Sequence, residues 1–256
     1  MILSIKMRDI AIKAAKKAGD ILLNNFGKKL DIKTKSEGEL VTNIDLESEE
    51  LILSIIKDNF PSHSTLSEEK GKTKQRSDYT WIIDPLDGTH NYIHGLHLFA
   101  VSVALEYKKE VILGVVNVPY LGEMYVAEKG KGAFCNGKEI HVSKKILEES
   151  FLLFGSRFLK KMKIRGSSFF SIINSVFRTR VLGATAICFA YVASGKAEAY
   201  VTLGKPEDVA AGCLILEEAQ GMITDFKGSR WNACMDKLVG SNCVIHEELL
   251  EMLNSD

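Results

Sequence analysis

Trp81-Ile82-Ile83-Asp84-Pro85-Leu86-Asp87-Gly88-Thr89 drives an apolar run straight into two carboxylates, a glycine and a hydroxyl. The run reads as a buried strand, and Pro85 should stop it because proline has no N–H to give to a ladder. Asp84 and Asp87 are then left together at the strand's mouth. Gly88 lets backbone approach a ligand closely, and N–H groups beginning at Thr89 can meet an anion if a helical turn starts there. Such a junction suits a divalent cation and a phosphate sharing one turn. Asp-Pro and Asp-Gly are also common turn dipeptides whose carboxylates bond only their own backbone. Taken alone, the nonapeptide leaves both readings open.

Before this stretch, Ile10, Ala14, Ala18 and Ile21 fall on one face of a helix expected over 7–26, with Gly27 where a C-terminal cap would sit. Lys28 to Leu40 is polar and lysine-rich and reads as a loop or loose hairpin. A second helix should begin near Thr42, bury Leu51, Ile52, Ile55 and Ile56, and end near Phe60-Pro61. Another polar stretch runs from Glu68 to Asp78. Beyond Thr89, runs at 98–106, 111–118 and 123–128 suggest an antiparallel meander. Near 145–150 the texture changes. A strand is expected at 151–154, helix over most of 156–177, and strand at 179–182. A helix at 184–194, a strand at 197–202 and a helix at 206–219 follow, then strands at 222–225 and 237–241 and a closing helix from about 246. Helices interleaved with short strands indicate an α/β half with a partly parallel sheet. The expected organisation is an α+β half over 1–147 and an α/β half over 148–256, packed as one unit around a cleft.

The 256 residues can build a substantial core. Lys+Arg and Asp+Glu balance at 33 each, so no basic field argues for nucleic acid and no polybasic tail for a membrane surface. A small molecule is the expected partner. The five cysteines are dispersed without C-x-x-C spacing, which speaks against a disulfide framework or a zinc site. With no signal-like segment and no long apolar run, a cytoplasmic location is expected.

Three further acids stand at predicted element ends: Asp45, Glu68 and Asp208. Each has a plain explanation. Asp45 can complete a capping box with Thr42, Asp208 can favour the positive end of a helix opening at Pro206, and Glu68 can be one charge of a solvated run. In combination they carry a resemblance. Leu40-Val41-Thr42-Asn43-Ile44-Asp45, Ser67-Glu68-Glu69, Trp81 to Thr89 continuing to Asn91, and Asp208-Val209-Ala210-Ala211-Gly212 resemble the inositol monophosphatase family in order and spacing. The likeness extends through Gly130 to Gly137, Arg180 to Gly183 and Tyr191 to Gly195, and so over nearly the whole chain.

The resemblance implies a layered αβαβα sandwich of the sugar phosphatase type and a Mg²⁺-dependent phosphomonoesterase. Glu68, Asp84 and the Leu86 carbonyl would hold one Mg²⁺, Asp84, Asp87 and Asp208 a second, and Glu68 would help hold a weaker third through waters. Thr89 and Asp45 would form a relay that orients the attacking water, in competition with the capping box for Asp45. Backbone N–H groups of Gly88 and Thr89 would hold phosphate oxygens, Asp87 and Asp208 would border the substrate, and the Gly183, Ala184 and Thr185 segment would touch its ring. A homodimer is implied as well. Charge supports the metals independently, since carboxylates gathered in one cleft repel unless cations neutralise them, and hard oxygens favour Mg²⁺ over zinc. His90, His94 and His97 follow Thr89, but the carboxylates already account for the ions.

The chain departs from the family at two places. Glu207 stands where tryptophan usually precedes the last metal aspartate, and Tyr200 to Lys205 lacks the acid that binds inositol hydroxyls in inositol-specific members. Lys205 or Arg180 could supply a positive group for a second phosphate. Fructose 1,6-bisphosphate and adenosine 3′,5′-bisphosphate therefore stand beside inositol 1-phosphate as candidate substrates. A catalytically silent metal- and phosphate-binding scaffold is the alternative from another class.

Overall fold

A computed structural model describes residues 4–35, 39–161 and 167–255. Helix α1 (Ile5–Asn25) starts where the Ser4 hydroxyl accepts the Met7 N–H at 3.2 Å, and it buries Met7, Ala11, Ala14, Ala18 and Leu22 along one face. The lysine-rich segment is a hairpin, β1 (Ile32–Thr34) with β2 (Leu40–Thr42), and α2 (Asn43–Asn59) follows under a Thr42 cap. Next come β3 (Ser64–Ser67), β4 (Gly71–Thr73), β5 (Tyr79–Asp87), the short α3 (Thr89–Ile93), β6 (Ala100–Tyr107), β7 (Glu110–Val118), β8 (Glu123–Glu128), β9 (Ala133–Cys135) and β10 (Lys138–Ile140). Sequence periodicity misses β3, β4, β9 and β10. These strands are only three or four residues long, too short to show an alternation, and their ladder partners define them.

These strands form an eight-stranded sheet in the order β10-β9-β8-β7-β6-β5-β3-β4. Its pairs are antiparallel except β3 with β5, which run parallel with Ser67 opposite Ile83. Two parallel neighbours end at the same edge, so Glu68 emerges beside Asp84.

The second part contains β11 (Phe151–Phe154), α4 (Ser156–Lys161), α5 (Ser167–Ser175), β12 (Arg178–Arg180), α6 (Thr185–Ala193), β13 (Ala199–Leu203), α7 (Pro206–Glu218), β14 (Met222–Thr224), β15 (Lys237–Ser241) and α8 (His246–Leu253). Of the helix expected over most of 156–177, Ser156–Lys161 and Ser167–Ser175 are helical and 162–166 lie outside the described residues, and the strand expected at 179–182 begins at Arg178. The five-stranded sheet runs β12-β11-β13-β15-β14, parallel through its first three members and antiparallel beyond them.

Strand alternation sets the layers. Trp81 and Ile83 face α1 and α2, whereas Ile82 points the other way into a cluster with α6 and α7. Leu153 joins that central cluster from the second sheet, while Leu152 and Phe154 turn outward to Phe158, Ile172 and Leu249 of α4, α5 and α8. Both sheets are thus covered on both faces, which is why their strands read as continuous apolar runs. The stack is αβαβα, sheets flanked by helices. Gly114 in β7 lets α7 lie close, since a Cβ there would come within 2.6 Å of the Ala211 carbonyl oxygen. Among the described residues no helix is long and apolar enough to cross a membrane.

Candidate active site

β5 does not stop at Pro85. The ladder with β6 pairs Asp84 with Ser102, shifts register, and resumes with Asp87 opposite Ala100. Pro85 and Leu86 form this irregularity, where a missing N–H costs no ladder bond. The kink aims both aspartates at the same cleft. Asp84 Oδ1 accepts the Leu86 N–H at 3.0 Å, and the Ser48 hydroxyl of α2 donates to the Pro85 carbonyl at 2.9 Å. Asp87 reaches across to the start of α6, its two oxygens accepting the N–H groups of Thr185 at 2.8 Å and Ala186 at 2.9 Å. A carboxylate suits that positive helix end.

Gly88 turns the chain at φ +87° into α3, and a Cβ there would sit 2.9 Å from the Leu98 carbonyl oxygen and 3.1 Å from the Ala184 methyl. Only glycine meets both conditions without strain. Thr89 then stands over the start of α2, its hydroxyl 3.1 Å from Asp45 Oδ1 and 3.0 Å from the Leu86 carbonyl oxygen. The competition expected at Asp45 does not arise. Its Oδ2 closes the capping box, accepting the Thr42 N–H at 2.9 Å and the Thr42 hydroxyl at 2.5 Å, while Oδ1 faces Thr89. One carboxylate serves both arrangements with separate oxygens.

Glu68 and Asp208 approach from the sides. Asp208 lies in the first turn of α7, where its Oδ2 accepts the Lys205 N–H at 3.0 Å. The same oxygen takes Arg157 Nη1 at 2.6 Å, and the other branch of Arg157 donates to Glu39 at 2.8 Å. Lys205 Nζ completes the group at 3.1 Å from the second Glu39 oxygen. On the opposite rim, Lys35 Nζ pairs with Glu68 at 3.2 Å and with Glu69. Lys35 and Glu39 belong to the hairpin region before α2, so this one segment reaches both rims.

Electrostatics tie these groups into one site. Burial, reinforced by Glu68, Asp87 and Asp208, holds the Asp84 carboxyl well above the usual range. Burial and Asp208 push Asp87 up to about 7, against the opposing pull of the α6 N–H groups. Burial also raises Asp45, opposed by its bonds from Thr42 and Thr89. The Glu68 carboxyl is raised by burial as well, with Lys35 pulling it down and Asp208 and Glu69 pushing it up. Burial likewise lifts Glu207, which lies near both Lys205 and Asp208.

The carboxylates of Glu68, Asp84, Asp87 and Asp208 and the Leu86 carbonyl are hard oxygen donors suited to a cation such as Mg²⁺, whose binding would release the protons that burial and mutual repulsion favour on Glu68, Asp84 and Asp87. Among the described residues, no three His, Cys, Asp or Glu side chains yet form a ready coordination cluster. Glu68 pairs with Lys35 and Asp208 with Arg157 through one oxygen each, so these side-chain cations would compete with a metal for the two acids. The histidines take other roles: His94 bonds the His90 carbonyl at 2.8 Å, and His97 stacks on Tyr120 at 3.8 Å.

Gly183, Ala184 and Thr185 border the same cleft through Gly88 and Asp87. The Thr185 N–H is already committed to Asp87, and its hydroxyl lies 3.3 Å from the Tyr200 hydroxyl. Asn91 fixes this segment, donating through one amide to the Leu98 and Leu182 carbonyls, each at 2.7 Å. Arg180 bonds the adjacent Thr179 carbonyl and lies over the Phe151 ring instead of joining the acidic groups. Sequence reasoning missed Lys35, Glu39, Asn91 and Arg157 as members of the site. Asn91 lies within the central motif and could have been found there, whereas no local pattern marks the other three.

A curated relative from Thermotoga maritima, named fructose-1,6-bisphosphatase/inositol-1-monophosphatase, is 38% identical over 255 residues, covering 96% of this chain and 95% of its own. Another from Pasteurella multocida, named Nus factor SuhB, is 36% identical over 254 residues with coverage of 96% and 95%. Among solved structures, an IMPase of Thermotoga maritima superposes with a TM-score of 0.89 at 38% identity over 96% of each chain. A family model described as the inositol monophosphatase family matches residues 5–256. With fold and sequence agreeing along the matched length, the protein belongs to the inositol monophosphatase family and is a phosphoric monoester hydrolase.

Proposed function

We propose that this protein is a Mg²⁺-dependent phosphatase of a small polyol or sugar phosphate such as inositol 1-phosphate, working by direct attack of water without a phosphoenzyme. The observation that carries the reading is the Thr89 hydroxyl, held between Asp45 and the Leu86 carbonyl at the strand end where Asp84 and Asp87 meet. Glu68, Asp84 and the Leu86 carbonyl would hold one ion, Asp84, Asp87 and Asp208 would hold another, and Glu68 would serve a third where one binds. The chemistry such ions would supply is polarisation of the phosphoryl group, acidification of an attacking water and compensation of charge on the leaving oxygen.

The chain's own groups do the positioning. Thr89 donates its proton to Asp45 and offers a lone pair to the attacking water. Asp45 receives the water's proton through Thr89 as the new P–O bond forms and the ester P–O bond breaks, and the leaving alkoxide takes its proton from a solvent water. Gly88 and Thr89 N–H groups cradle phosphate oxygens. Gly183, Ala184 and the Thr185 hydroxyl line the polyol, and Asp87 and Asp208 border it. We expect a cytoplasmic homodimer.

Lys205 beside Arg157 favours a second reading in which the substrate is a bisphosphate, as the name of the Thermotoga maritima relative includes. The intact set Asp45, Glu68, Asp84, Asp87, Thr89 and Asp208 weighs against a silent scaffold. The test is phosphate release from inositol 1-phosphate, fructose 1,6-bisphosphate and adenosine 3′,5′-bisphosphate, with and without Mg²⁺. Release should require Mg²⁺ and fall by about 100-fold or more in Asp87→Asn, since a lost ligand removes several kcal/mol of charge stabilisation. Unchanged release in that variant would overturn the metal assignment.

A further inference from the structure

We infer that Glu49 is a positioning residue for Glu68: its buried carboxylate holds the turn that presents Glu68 to the cleft, and so sets the affinity of the site for a divalent ion. The inference rests on the metal-dependent phosphatase reading and deepens it.

One face of α2 addresses three separate pieces of the cleft. Asp45, Ser48 and Glu49 stand at i, i+3 and i+4, neighbours along a helix, and all three are buried. Asp45 meets the Thr89 hydroxyl, and Ser48 holds the Pro85 carbonyl in the kink between Asp84 and Asp87. Glu49 takes the third piece. Its Oε1 accepts the N–H groups of Glu69 and Lys70, each at 3.0 Å, so two successive backbone donors of the turn between β3 and β4 converge on one oxygen. The Glu68 N–H just before them bonds the Ile83 carbonyl at 3.2 Å, continuing the parallel ladder. Glu68 is thereby held on both sides, by β5 at its own N–H and by α2 at the next two.

Stability alone accounts poorly for the arrangement. Oε2 of Glu49 is buried and, among the described residues, has no hydrogen-bond partner, and the same holds for Oγ of Ser67, the residue before Glu68. Burying a carboxylate with one oxygen unpaired is costly. The hairpin it closes is short: β4 is a three-residue edge strand with Lys72 and Thr73 exposed, and its ladder to β3 needs no buried charge. What the charge provides is definition. N–H groups bonded to a carboxylate are held more tightly than those on a neutral acceptor, and Glu68 stands one residue from the pair so held. Groups that orient a ligand from behind set the affinity of a metal site, and Glu49 stands in that relation to Glu68.

Calorimetric titration of Mg²⁺ into the substrate-free protein reads that affinity, and the Mg²⁺ midpoint of phosphate release reads it again. Glu49→Asp withdraws the carboxylate by one methylene and keeps its charge, whereas Glu49→Gln keeps the reach and an acceptor oxygen and drops the charge. Mg²⁺ affinity should fall about tenfold in Glu49→Asp, the scale of a lost orienting partner, and less than about threefold in Glu49→Gln. In both, kcat should return toward that of the wild type once Mg²⁺ saturates. In EDTA the Glu69 and Lys70 amides of Glu49→Asp should exchange with solvent about tenfold faster than in the wild type. Ile52→Val, a packing change at a buried position of the same helix, should lower Tm and leave Mg²⁺ affinity as it was. Three results each overturn the positioning role: a lower Tm in Glu49→Asp with unchanged Mg²⁺ affinity, an equal loss of affinity in Ile52→Val, or a larger loss in Glu49→Gln than in Glu49→Asp. If the wild-type protein binds no Mg²⁺, the metal reading fails and takes the inference with it, whereas binding of equal strength in wild type and variants sinks the inference alone. Should Glu49→Asp fail to fold, Glu49→Met fills the same volume without an acceptor and carries the same expectation.

Discussion

Asp87 and Asp208 share one cleft and are held by different means. Asp87 is fixed by two backbone N–H groups at the start of α6, on a strand end whose turn only Gly88 can make. Among the described residues Asp208 has only one backbone N–H, that of Lys205, and shares the same oxygen with Arg157, a half-exposed side chain that also serves Glu39. Glu68 resembles Asp208 in this, resting on Lys35. The floor of the site is therefore a rigid backbone construction, and its rim is an exchangeable network of side-chain charges. A backbone donor cannot leave without unfolding its element, whereas a lysine or arginine can swing away at the cost of a surface ion pair.

The largest test of that contrast is Gly88→Ala. The floor has no slack, so the added methyl should displace the turn, cost about 2 kcal/mol of strain and lower Tm by roughly 4–8 °C. Phosphate release should fall about 100-fold, the scale of an ångström-level misplacement of reacting groups. A Gly88→Ala protein with normal Tm and turnover would show the floor to be as adaptable as the rim.

Next in size is the division of labour at Asp45. Thr89→Ala removes the partner of Oδ1 and should lower kcat about 100-fold with little change in Tm. Thr42→Ala removes the hydroxyl on Oδ2 and should cost about 1 kcal/mol of stability while kcat changes only a few fold. Thermal melts and steady-state rates on both variants check the split. Matching losses of rate would mean that the two oxygens do not act separately.

The smallest effect is in pH. Without metal, Asp87 keeps its proton up to about 7 in the folded chain, against an ordinary value of 3.8. Unfolding releases that proton between the two values, so the floor loses stability as pH rises through this window. Glu39 behaves oppositely: its folded value lies below the ordinary 4.5, so its contribution is present above 4.5 and is lost as pH falls through the lower folded value. In EDTA, Tm should decline from about pH 5 to about pH 8, and Mg²⁺ should raise Tm most at the upper end, where the carboxylates are charged. A Tm in EDTA that rises across this range would contradict the assignment for Asp87.

Legibility in the sequence follows the same boundary. The strand end, the Thr42 cap, the glycine turn and the opening of α7 at Pro206 are local patterns, and the structure forms each of them. Pro85 was misread as a stop because a register shift depends on the neighbouring strand, which periodicity along one chain does not contain. Strands β3 and β9 were missed for a related reason, since short segments gain their identity from ladder partners. At Asp45 the local pattern and the family resemblance each pointed to a real contact, and only the position of Thr89 shows that separate oxygens make them.

The sequence by itself determined the floor and the family, because a strand, a turn and a helix start are encoded by residues adjacent in the chain. The tertiary structure alone decided that Glu68 emerges beside Asp84, through the parallel pairing of β3 with β5, and that Asp87 seats on the N-terminus of α6. It also decided that Glu39, Arg157 and Lys205 meet, though more than a hundred residues separate Glu39 from the other two. Charge acts through space, and sequence separation carries no record of which distant side chains the layers bring within reach.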